Sequence, residues 1–110
     1  MMRRYEEVAR KVWVRKESER YAQKSFKTII SAMKTSSSDV PFFRGEKIKI
    51  EGVEEFFNKL EEELERKVGK NSFLYREISR ETESILVKKL QKIGWGFDEN
   101  SPEAYTLVKL

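Results

Sequence analysis

The sequence predicts a mainly α-helical fold with a small β-hairpin at its C-terminal end and a long helix at its N-terminal end. Three observations lead there. Apolar residues recur at steps of three and four over residues 2–34, 53–68 and 72–93, the period of one helical face. Glycine stands at 69 and 94, just past two of those runs, where helices readily stop. Residues 95–110 place two short apolar runs either side of Asn100-Ser101-Pro102, a hairpin signal.

Taken in order, residues 2–34 read as helix. Tyr5, Val8, Val12, Ala22, Phe26, Ile29 and Met33 supply its expected buried stripe, with Trp13 and Val14 off that stripe. The stripe lapses at Arg15-Lys16-Glu17-Ser18-Glu19-Arg20. That gap is either an exposed turn of one helix or a break, with Ser18 capping a second. Thr35 to Asp39 is polar and Pro41 follows, so residues 35–47 are expected to be loop. Phe42 to Ile50 predicts a short strand or hairpin, with Ile48 and Ile50 on one side and Lys47 and Lys49 on the other.

Val53, Phe56, Phe57, Leu60, Leu64 and Val68 predict the next helix, whose other face is acidic: Glu54, Glu55, Glu61, Glu62, Glu63 and Glu65. Asn71 or Ser72 caps a further helical region reaching Ile93, with Leu74, Ile78, Ile85, Leu86, Leu90 and Ile93 buried. Residues 72–93 are either one helix or a helix-turn-helix. Trp95-Gly96-Phe97 and Tyr105 to Leu110 form the arms of the hairpin. With 110 residues, the chain is one domain: a basic helical region at 1–34, the loop, and a compact region from 48 to the end.

Composition excludes whole classes of function. There is no cysteine and no histidine. Disulfides, thiolate or imidazole metal sites, and Ser-His-Asp or Cys-His catalysis are therefore unavailable. Lys, Ser and Tyr remain, but no signature selects any of them, so the expectation is a binding protein rather than an enzyme, with no cofactor. The first residues, MMRRYEEVARKVWV, lack an apolar signal-peptide core, and no apolar run is long enough to span a membrane. The expected location is the cytoplasm. Scarce Asn and Gln beside abundant Lys and Glu resemble a thermophile's usage.

Charge is unevenly placed. Residues 1–50 carry 13 basic and 6 acidic residues, whereas residues 51–110 carry 10 and 13. Arg3, Arg4, Arg10, Lys11, Arg15, Lys16, Arg20, Lys24, Lys27 and Lys34 all lie in the first helical region. Such a helix suits a phosphate backbone, a symmetry mate in a homodimer, or an acidic protein partner.

The order helix, short strand, helix, helix, hairpin resembles the winged helix-turn-helix of DNA-binding proteins. The string Ile78-Ser79-Arg80-Glu81-Thr82 ahead of Ile85, Leu86 and Leu90, with Gly94-Trp95 after it, is similar to the recognition helix of catabolite-activator-type regulators. The resemblance covers residues 46–110. It implies that Ser79 opens a recognition helix, that Arg76 and Arg80 reach bases or phosphate, and that Lys88, Lys89 and Lys92 meet the backbone. It implies DNA rather than RNA as the ligand. Two further readings fit the same residues. The general profile, small, basic and helical, also resembles the non-catalytic small subunits of nucleoprotein complexes such as CRISPR effectors. A protein-only adaptor is the other.

Overall fold

The computed structural model describes residues 4–36, 42–100 and 105–110, with Arg4, Tyr5 and Ser36 described in the backbone alone. The described residues form three helices and a three-stranded antiparallel sheet: α1 (Arg4–Ser36), β1 (Lys47–Lys49), α2 (Glu54–Val68), α3 (Phe73–Lys92), β2 (Trp95–Phe97) and β3 (Thr106–Lys109).

α1 is one uninterrupted helix. The lapse at residues 15–20 is exposed only at Arg15, Lys16 and Glu19, and Ser18 is no cap. It lies fully buried inside the helix and its hydroxyl donates to the Ile78 carbonyl at 3.4 Å. Ser18, Ala22 and Ser25 fall at helical spacing and are all buried. Their small side chains let α1 lie close along α3, its principal packing partner. At ~1.5 Å per residue α1 is roughly 50 Å long, against a longest molecular dimension of 56 Å.

The predicted α1 stripe is corrected at its N-terminal end. Ala22 and Ile29 are buried, but Val8 and Val12 are 56% and 48% exposed, while Val14 is buried. The cause is reach rather than face: Val8 lies only about 40° from Ala22 around the axis, but the end bearing Val8 and Val12 projects past the core.

β1 buries Ile48 between exposed Lys47 and Lys49, with Ile50 buried just beyond, as the alternation predicts. Its partner is remote in sequence. β1 pairs with β3 (Lys47↔Val108, Ile48↔Leu107, Lys49↔Thr106), and β2 pairs with β3 on the other side (Trp95↔Lys109, Phe97↔Leu107). The sheet order is β1-β3-β2, with Leu107 fully buried at its centre.

α2 ends at Gly69, whose φ of 90° suits glycine and whose N–H donates to the Glu65 carbonyl at 2.8 Å. Asn71, also at positive φ, completes the turn. Ser72 then caps α3, accepting from the Tyr75 N–H at 3.1 Å. α3 continues unbroken to Lys92. The expectation that Ser79 opens a helix is therefore corrected. No breaker separates Tyr75 from Ile78, so the helix starts where the turn releases it, and Ser79 is interior. Ile93, expected in the core, stands past the helix end and is exposed.

Two apolar clusters run through the molecule. One joins Ala22 and Ile29 of α1, Leu86 and Leu90 of α3, and Ile48, Ile50, Val53, Trp95 and Leu107 from the sheet and its edges. The other joins Val14, Tyr21, Leu64 and Ile78. Each fully buried Leu or Ile contributes about 1.5–3 kcal/mol relative to exposure. α1 and α3 belong to both clusters and so fix the positions of the surface groups they carry.

Candidate nucleic-acid interface

The predicted binding residues distribute over three places. The first is the outer ridge of α3. Phe73, Arg76 and Arg80 follow one another at steps of three and four, and all are exposed, Phe73 by 67%. The Arg10 guanidinium reaches over from α1 to 5.3 Å from the Phe73 ring centre. A cation over an aromatic face is held there by the ring quadrupole, so α1 and the start of α3 share one surface.

The second is a groove of about 500 Å³ between α1 and α3. Arg15 lines it from α1, and Lys88, Lys89 and Lys92 line it from α3, with Glu19 and Glu81 as its acidic members. Four cations face two carboxylates, and Arg15 pairs with Glu19 at 3.3 Å. Both partners are largely exposed, so that pair is weak and readily exchanged for a phosphate. Lys89 lies with its ammonium 5.7 Å from the Phe26 ring centre, which holds its side chain against α1. Arg15 of the basic N-terminal helix and the 88–92 end of α3, separate in sequence, thus meet in one groove, whereas Arg76 lies about 120° or more around α3 from the groove lysines.

The third is an internal network. Arg20 donates to Glu17 at 2.9 Å, lies 3.6 Å from a Glu63 carboxylate oxygen, and stacks 4.8 Å over Tyr21. Lys67 of α2 donates to the same Glu17 oxygen at 3.1 Å. The hydrogen bond from Arg20 holds the Glu17 carboxyl below its usual range, burial opposing it and Lys67 assisting. This cluster ties α1 to α2, and Arg20 takes part in it rather than in the groove.

Lys11 and Lys16 are exposed on α1. Arg3, and the side chain of Arg4, lie outside the described residues. Ser79 turns away from Arg80, since neighbours on a helix differ by about 100°. It lines a second cavity, between α3 and α2, with Thr82 and Leu86.

At the hairpin, the acidic Asp98 is met by Lys47 of β1 at 3.0 Å. That hydrogen bond holds the Asp98 carboxyl below its ordinary value. The exposed face of α2 remains acidic through Glu54, Glu55, Glu61 and Glu62. That side is negative, whereas the groove between α1 and α3 carries more cations than carboxylates.

Sequence reasoning missed Phe73 and its contact with Arg10. The cue was Ser72, which precedes Phe73 and caps the Tyr75 N–H three residues on. Among the described residues, no helix is long and apolar enough to cross a membrane. In comparison with known proteins, the chain matches no family model, no curated protein and no solved structure.

Proposed function

We propose that this chain is a nucleic-acid-binding protein that acts on duplex DNA through a winged helix-turn-helix. In this reading α2, the turn at 69–72 and α3 are the helix-turn-helix, β2 and β3 are the wing, and the recognition helix begins at Phe73. The observation that carries it is the convergence of Arg15 with Lys88, Lys89 and Lys92 in one groove. The ridge presents side chains to base edges, and the groove presents cations to the flanking phosphates. The element order and the sheet order β1-β3-β2 also support it, because winged domains fold their strands around the same helical pair.

The test is a titration of duplex DNA, single-stranded DNA and RNA at two salt concentrations. Duplex binding that weakens steeply with salt is expected. Absence of binding at low salt overturns the reading and leaves a protein-only adaptor. Equal, sequence-indifferent binding to all three favours a small subunit of a nucleoprotein complex.

A second copy of this chain is the partner we assign to the projecting end of α1. Val8, Val12 and Trp13 are exposed there. Antiparallel pairing of two such ends would cover Val8, Val12 and Trp13 of each copy with those of the other. Val12→Glu should convert a dimer to a monomer in sedimentation equilibrium; a wild-type chain that sediments as a monomer throughout overturns this assignment.

A further inference from the structure

A cavity of about 390 Å³ opens between α1, α2 and α3, away from the basic groove. Its size falls within the range of small-molecule sites. The wall is mostly apolar, and Phe57 and Tyr105 stack within it at 5.0 Å with planes 9° apart. Two polar groups on the wall are unmatched. Tyr21 is only 3% exposed, and its hydroxyl is buried without a hydrogen-bond partner. The Thr82 hydroxyl is likewise buried and unpartnered. A buried polar group without a partner costs about 1–3 kcal/mol, so both hydroxyls would gain from any polar partner that reaches them.

The charged lining residues have one sign, while Arg20 and Lys67 stand 4.8 and 5.8 Å from the Tyr21 ring centre. Glu61 and Glu83 line it with exposed carboxylates, and no Lys or Arg is among its lining residues. Burial raises Tyr21 and Tyr105 above the usual phenol range; Glu54 and Glu61 add to the rise at Tyr105, while at Tyr21 Glu63 adds to it and Lys67 and Arg20 oppose it. Both hydroxyls therefore stay protonated at neutral pH. A carboxylate or phosphate ligand would meet repulsion here. A cation would be drawn to the two glutamates and to the aromatic faces.

We propose that this cavity is a binding site for a small amphipathic organic cation, an aryl or alkyl amine whose apolar body fills the pocket and whose ammonium lies between Glu61 and Glu83. The buried Tyr21 hydroxyl then gains a polar partner from the ligand or from water carried in with it. This site is separate from the nucleic-acid surface, and its test does not depend on DNA binding.

The experiment is calorimetric titration of the full chain at pH 7 with three probes of one shape: 4-phenylbutylamine, 4-phenylbutanol and 4-phenylbutyrate. The amine should bind at least about tenfold more tightly than the carboxylate, with the alcohol between them. The double variant Glu61→Gln, Glu83→Gln, changed only at exposed positions, should remove the preference for the amine while retaining the alcohol. Tyr21→Phe should weaken the amine severalfold and raise the Tm of the free chain, because it deletes the unpartnered hydroxyl. Carboxylate binding as tight as the amine's overturns the proposal. So does the absence of heat from all three probes at millimolar concentration, or an undiminished amine preference in the double variant.

Discussion

Replacing Arg15, Lys88 and Lys92 together with Gln removes three of the four cations that line the groove between α1 and α3. Lys89 is kept because its ammonium packs over Phe26. The three chosen side chains are exposed. The one resolved ion pair among them, Arg15 with Glu19, joins side chains that are 76% and 56% exposed. Stability should therefore change by no more than about 0.5 kcal/mol per site, and any loss of binding is a loss of charge. If each cation neutralises one phosphate of duplex DNA, the slope of log affinity against log salt should fall in magnitude by about 2.7. Across a fourfold salt increase, from roughly 50 to 200 mM, the wild type should then lose about 40-fold more affinity than the variant. Fluorescence anisotropy with a labelled duplex at several salt concentrations measures both slopes. A variant with the wild-type slope and affinity would refute the groove as a phosphate-binding surface, whatever the rest of the molecule binds.

Three further outcomes are expected. Arg80→Ala should weaken binding to a preferred duplex by about 1–3 kcal/mol while leaving random-sequence binding nearly unchanged, as read in competition titrations. Ile78 is fully buried where α1 meets α3, so Ile78→Ala should cost about 2–5 kcal/mol and lower Tm by about 8 °C or more, whereas Phe43→Ala, at a side chain 70% exposed, should leave Tm almost unmoved. Burial raises Tyr21, Tyr75 and Tyr105 above the usual phenol value of 10.0, so their stabilisation is complete below about pH 10 and is lost as pH rises through the folded values; Glu17 and Asp98 are lowered by hydrogen bonds from Arg20 and Lys47, so theirs is present above about pH 4.5 and lost as pH falls through the folded values. Denaturant midpoints followed from pH 2 to 11 should fall at both ends, and Tyr105→Phe should reduce the alkaline loss.

The elements of this protein were legible in the sequence because their causes are local. The apolar period over 53–68 and the glycine at 69 define α2 within a few residues. The alternation at 47–50 places Ile48 inside and its lysine neighbours outside. The Arg15–Arg20 stretch left two options open, and burial of Ser18 against α3 decided between them. The Ser79-Arg80-Glu81-Thr82 string suggested a helix start that the backbone does not make, because Gly69 and Asn71 supply the turn earlier and Ser72 supplies the cap.

The candidate surface was half legible. Its residue types stand in the sequence, but their assembly does not. By itself the sequence determined the helical and strand regions and the turn after α2, which depend on neighbours within a few residues, and that catalysis by histidine or cysteine is absent. Only the tertiary structure decided that β1 pairs with β3, that α1 projects beyond the core with Val8 and Val12 uncovered, that Arg20 is tied to α2, and that Arg15 meets Lys88, Lys89 and Lys92. Those outcomes depend on how close α1 can lie along α3, which the small side chains of Ser18, Ala22 and Ser25 permit and which no local pattern of charge reports.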